Sequence, residues 1–181
     1  NVVVAGNEFR SDIGESNNWR IIKWDSAGNL MWSRTYNSPA NGTDSASSVA
    51  VDGSGNVVVA GNETRTDLGE GSNWRVIKWD STGNLVDSQS HNGLVNGSDE
   101  LYGVAAFGTS TVYVAGSETV VGAGTNFAVA RYELIPGPIN PTPPGVPDPL
   151  EARGQNQQAS LNWGPAAPGS LAINGYEVFR A

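Results

Sequence analysis

Three sets of side chains have the types and spacing that chemistry can use. The only histidine is His91, and with no cysteine in the chain it is the one side chain whose ordinary titration lies near neutral pH. An internal repeat, described below, puts Asn37 at or near the same place in the preceding copy. A His in one copy and an Asn in the other reads as variation at an exposed strand end. Paired carboxylates offer a second route, general acid–base hydrolysis: Asp12 with Glu15, and Asp67 with Glu70. Because the pair occurs twice, each copy would have to work alone, which favours a repeated binding or structural surface over a single active centre. The third set is an Asp followed three residues later by Gly, at Asp25–Gly28, Asp52–Gly55 and Asp80–Gly83. An EF-hand loop needs alternating oxygen ligands, a Gly at its sixth place and a Glu at its twelfth, and these segments have neither. They read as hairpin turns, in which Asp accepts backbone N–H groups just ahead of it and Gly takes the positive φ. No catalytic residue, metal or cofactor is expected from these sets, and the chain reads as non-enzymatic.

The elements that carry these residues come from a tandem repeat. Asn1–Glu8 returns at Asn56–Glu63 and, weakened, at Thr111–Glu118, an offset of 55 both times. Between Asn1–Leu30 and Asn56–Leu85, 23 of 30 positions are identical. In the one complete copy four strands are predicted, Ser47–Asp52, Asn56–Gly61, Asn73–Asp80 and Leu85–Ser90, each bounded by Gly, Asn, Asp or Ser. Val57–Ala60 and Trp74–Trp79 carry apolar residues on both alternating faces, so both faces must be covered. Four-stranded blades stacked about an axis do this, and the period lies in the range of propeller blades. Ala60-Gly61 suits a place where backbones approach closely. Trp19, Trp74 and Phe127 recur at the start of the third strand and Trp24, Trp79 and Tyr132 at its end, rows better suited to packing between blades than to stacking on sugars.

Composition narrows the partners. Ten Lys and Arg against 18 Asp and Glu give a formal charge of −8, a poor field for a phosphate backbone, so nucleic acid is not expected. No apolar run is long enough to span a membrane, and the lack of cysteine removes disulfides and thiolate sites. The start at Asn1, in mid-pattern and without Met or a signal peptide, suggests a piece of a longer protein.

Ser48–Gly61 followed by the pattern of Ile22–Tyr36 resembles the seven-bladed β-propeller repeat of the SBBP type, found in secreted and surface proteins of bacteria and archaea. The resemblance covers about residues 1–133 and implies the last three strands of one blade, all four of the next and the first three of a third. After Ile135–Pro149, where 7 of 15 residues are proline and an extended spacer is expected, Ala159–Pro165 with Trp163, and Ile173–Arg180 with Tyr176, resemble the opening of a fibronectin type III domain. The expected fold is all-β: about 2.5 four-stranded propeller blades in residues 1–134, a Pro-rich linker in 135–149, and a truncated fibronectin type III-like β-sandwich in 150–181.

The function implied is binding or display at the surface of, or outside, a prokaryotic cell, toward a protein or glycan ligand. The alternative is an accessory region of a secreted carbohydrate-active enzyme whose catalytic domain lies elsewhere. The connections Asn7–Asn18 and Asn62–Asn73 would emerge on one rim and present Arg10, Asp12, Glu15, Arg65, Asp67 and Glu70 as a repeated ligand-binding surface. Ten strands in an unclosed array also predict unpaired edges that meet further blades or self-associate.

Overall fold

Alternation and turn chemistry place the strands. The structure is a computed structural model describing residues 1–135, 151–155 and 158–162. Two compact units divide at Asn1–Pro136 and Gly137–Ala181. In the first, ten strands form three antiparallel sheets, each a meander of sequence neighbours. The first sheet holds β1 (Val2–Phe9), β2 (Asn17–Trp24) and β3 (Leu30–Tyr36). The second holds β4 (Ser45–Val51), β5 (Val57–Thr64), β6 (Ser72–Trp79) and β7 (Leu85–His91). The third holds β8 (Glu100–Phe107), β9 (Thr111–Val120) and β10 (Gly124–Glu133). No α-helix occurs among the described residues; single 3-10 turns at Ser11–Ile13 and Thr66–Leu68 are the helical content. Among the described residues no sheet closes into a barrel.

The middle sheet is covered on both faces. Val57, Val58, Val59 and Ala60 are all fully buried, and since neighbours in a strand point to opposite sides, burial of four in a row requires packing on each side. Val57, Val59, Ile77 and Trp79 meet Trp19 and Ile21 of the first sheet. Val58, Ala60, Trp74 and Val76 meet Leu101, Val112 and Val114 of the third. Each of the two seams thus joins the forward face of one sheet to the backward face of the next.

The two seams repeat one hydrogen-bond scheme. Trp19 Nε1 donates to the Asn62 carbonyl at 3.0 Å, and Trp74 Nε1 to the Ser117 carbonyl at 3.1 Å. The buried Lys23 ammonium donates to the carbonyls of Gly55 and Ser81 at 3.2 and 3.0 Å. Lys78 donates to those of Thr109 and Leu134 while pairing with Asp52 at 2.9 Å. An ammonium has three protons to place, and Lys78 places all three. Asn7 Oδ1 accepts from Ala46 N at 2.9 Å, as Asn62 Oδ1 does from Leu101 N at 2.6 Å.

The strands differ from expectation mainly at one end of each sheet. Pairing in β1–β2 continues to Phe9↔Asn17, and in β5–β6 to Thr64↔Ser72. The connections are therefore only residues 10–16 and 65–71, and Glu8 and Glu63 lie on strands. Backbone pairing extends past the apolar residues because a ladder hydrogen bond needs no apolar side chain. In the second unit β11 (Glu151–Gln155) pairs antiparallel with β12 (Gln158–Asn162). The expected linker beyond Ile135, and Trp163 and Tyr176 of the fibronectin-like pattern, lie outside the described residues.

Candidate functional site

The turn aspartates are bonded by their own turns, and Asp52 pairs with Lys78 besides. Asp25 Oδ1 accepts from Ala27 N at 2.9 Å and Asn29 N at 2.8 Å, and Asn29 Nδ2 donates to Oδ2 at 2.9 Å. Asp52 and Asp80 repeat the pattern with Ser54 and Asn56, and with Thr82 and Asn84. Gly28, Gly55 and Gly83 have φ of 85°, 78° and 91°, which L side chains rarely adopt. Donors from the Asn29 side chain and backbone hold Asp25 below the ordinary carboxylate range. At Asp80 burial pushes upward, and donation from Thr82 and Asn84 outweighs it.

The rim loops are two copies of one shape. Arg10 has φ −124° and ψ 43° and Arg65 φ −124° and ψ 41°, each opening a 3-10 turn that ends on a left-handed Gly, Gly14 or Gly69. That turn folds the chain back so that Arg10 forks onto Asp12, Nε to Oδ1 at 3.1 Å and Nη2 to Oδ2 at 3.3 Å. Arg65 does the same to Asp67 at 3.0 and 3.1 Å. The paired guanidinium lowers both aspartates' pKa. Glu15 accepts from Asn18 Nδ2 at 2.5 Å, and Glu70 from Asn73 Nδ2 at 2.6 Å. Arg10, Asp12 and Glu15 thus gather in one loop and Arg65, Asp67 and Glu70 in the other. Among the described residues no group of three His, Asp or Glu is arranged to hold a metal ion.

Beneath the loops lies a network that sequence reasoning missed. Glu63, fully buried, accepts from the Tyr36 and Ser90 hydroxyls and lies 3.6 Å from Arg75 and 3.9 Å from Arg65. Arg75 sits 4.9 Å over the Tyr36 ring, a cation–π contact. Burial, then the bond to Glu63, pushes the Tyr36 hydroxyl's pKa upward. In the next seam the same place belongs to His91: register pairs Trp19 with Tyr36 and Trp74 with His91. The His91 ring lies 5.3 Å from Trp74, the distance Tyr36 keeps from Trp19, and His91 Nε2 is 2.7 Å from Glu118 Oε1. The counterpart of His91 is therefore Tyr36, not Asn37, and its setting is a seam contact. The offset of 55 between positions 36 and 91 was legible, but the unlike residue types hid it.

Asp44 and Asp99, both fully buried, were likewise missed. Asp44 accepts from Ser38 N at 2.6 Å and Thr64 N at 2.9 Å, and Asp99 from Gly93 N at 2.6 Å and Thr119 N at 2.8 Å. Each ties the crossing between sheets to the strand beside it, and burial raises the Asp44 pKa despite those donors. The recurring triplets Gly42-Thr-Asp44 and Gly97-Ser-Asp99 were the available signal. Of the first aromatic row, Trp19 and Trp74 are buried in seams, whereas Phe127 is 77% exposed.

No protein-family model matches the chain, and no curated protein matches it.

Proposed function

We propose that this chain is a non-enzymatic binding and display module: a section of a β-propeller of the SBBP type, followed by a fibronectin type III-like module, in a secreted or cell-surface prokaryotic protein. What carries the reading is the repetition of one seam, with Trp19 on Asn62 and Trp74 on Ser117 at offset 55. Stacking by a fixed step brings the β1–β2 and β5–β6 connections out at the same end of successive sheets, so a ligand meets the same charged loop twice. The Arg–Asp forks there suit exchange for a ligand. Exposed ion pairs contribute only about 0–1 kcal/mol, so a glycan hydroxyl or a charged peptide side chain replaces an internal partner at little cost.

Screening the full chain on glycan and peptide arrays tests this. Wild type is expected to bind a defined ligand class. The combined substitution of Asp12 and Asp67 by Asn and of Glu15 and Glu70 by Gln is expected to abolish that signal with Tm unchanged. Binding that survives in the substituted chain removes the rim from the reading.

A further inference from the structure

The two seams hold a carboxylate at the same place but surround it differently. Register sets Glu63 opposite Asn73 and Glu118 opposite Asn126. The residue that ends the last strand of the preceding sheet reaches each of them, Tyr36 to Glu63 and His91 to Glu118. In the first seam Arg75 at 3.6 Å and Arg65 at 3.9 Å answer the charge of Glu63. In the second seam both arginines are replaced. Ala128 stands opposite Gly116 where Arg75 stands opposite Gly61, and Val120 lies 55 residues beyond Arg65. Among the described residues, His91 at 2.7 Å is the one cation-forming side chain within ion-pair distance of Glu118. The Tyr36 hydroxyl, its pKa pushed upward by burial and by Glu63, is uncharged at neutral and acid pH. Exchange of Tyr for His therefore brings the chain's only imidazole to the seam whose carboxylate has no arginine.

We infer that the His91–Glu118 contact is a pH-sensitive latch on the second seam, tightened when the imidazole gains a proton. A neutral imidazole can donate one neutral N–H to Glu118, whereas the protonated ring makes that bond charge-assisted from both sides. An ordinary histidine takes up its proton between about pH 8 and pH 5. In the unfolded chain Glu118 is not held beside the ring, so the proton binds better to the closed seam. The latch's contribution therefore grows as pH falls through that range and is lost as pH rises. The neighbouring groups keep this sign. On β6 the Trp74 ring lies 5.3 Å from the imidazole, a face that favours a cation. On β8 Glu100 accepts from Asn62 Nδ2, and in the crossing Asp99 accepts from Gly93 N and Thr119 N. On β7 itself Asp87 bonds Ser88 N and Gln89. Tyr132 on β10, its pKa raised by burial and by Glu118, carries no charge here. None of these brings a positive charge to compete with His91. The side chains of His91 and Glu118 are 38% and 25% exposed, so protons reach the ring and the effect is modest. The window lies above the one in which the turn carboxylates titrate, and the latch acts whatever ligand the rim takes.

Amide hydrogen exchange of the full chain at about pH 8 and about pH 5.5, the two sides of the imidazole range, is the test, with intrinsic rates divided out. Residues 117–120 report on the second seam, and residues 62–65, at the same places of the first, are the control within the same molecule. In wild type, protection of 117–120 relative to 62–65 is expected to rise about two- to fivefold at the lower pH, the scale of a part-exposed ion pair. His91→Tyr, which installs the first seam's residue, is expected to hold the ratio constant. Glu118→Gln, which keeps an acceptor without the charge, is expected to do the same. A wild-type ratio unmoved by pH overturns the inference. So does a pH response that survives in His91→Tyr, which assigns it to another group, or one that survives in Glu118→Gln, which removes Glu118 as the partner. Wild type and Glu118→Gln decide the matter even where His91→Tyr melts lower.

Discussion

At Asp80 the folded state gathers donors around a charge, and this links stability to pH. The carboxylate's pKa is depressed below its ordinary 3.8. The stabilisation is therefore fully present above that value and is lost as pH falls through the folded-state value. Asp25 and Asp52 act in the same sense. Asp44 acts in the opposite one: its raised pKa favours the protonated form in the fold, so its contribution diminishes as pH rises past 3.8. The turns outnumber it, and acid should destabilise the chain. Asp80→Asn keeps an acceptor but not the charge, and it should flatten the fall in denaturation free energy between about pH 5 and pH 3. An unchanged slope would show that the turn charge is not linked to folding. A second residue-scale contrast separates burial from register. Trp74→Ala should cost about 3–5 kcal/mol through lost transfer energy and a cavity. Phe127→Ala, at the equivalent place but exposed, should stay within about 0.5 kcal/mol in dilute solution. Urea titration of both variants checks this.

Among the strands, Gly6, Gly61 and Gly116 stand at one place in three sheets and face different neighbours. A Cβ at Gly61 would lie 2.0 Å from the Ser45 carbonyl oxygen, and one at Gly116 2.2 Å from that of Glu100. Bulges in β4, between Ala46 and Ser48, and in β8, between Leu101 and Gly103, press those carbonyls against the second strand. At Gly6 nothing lies within 4 Å. Gly61→Ala and Gly116→Ala should therefore destabilise by about 1–3 kcal/mol, as overpacking against backbone does. Gly6→Ala should be neutral or stabilising by about 0.5 kcal/mol, because Ala has less unfolded-state freedom to lose. Thermal melts of the three variants test the pair of claims together, and equal losses at all three sites would refute the role of the bulges.

Across the whole first unit, cooperativity has to pass through two seams, and Lys78 is the group that ties the second seam by charge. Its ammonium joins Asp52 of its own sheet to two carbonyls of the third. Lys78→Met leaves a buried carboxylate without its counter-charge and should cost about 3–5 kcal/mol. Adding Asp52→Asn should recover most of that loss. Because sheets in such an array are coupled only to their neighbours, hydrogen exchange in β8–β10 should rise more than in β1–β3. Uniform acceleration would mean that the unit opens as one body.

Much at this scale was already legible in the residues. The offset of 55, the four strands of the middle copy and the Asp–Gly turns follow from local rules, since alternation and turn hydrogen bonds span only a few residues. Even the covering of both faces at Val57–Ala60 was readable, because apolar residues on both sides of a strand state it directly. What faces what was not. Tyr36 on Glu63 and His91 on Glu118 join groups 27 residues apart, and such meetings depend on how one sheet is rotated against the next, a quantity that spacing along the chain does not encode. Nor does residue type reveal exposure: Trp74 and Phe127 are both large aromatics at one repeat position. Only the stacking of whole sheets decided that the first is buried in a seam and the second is exposed.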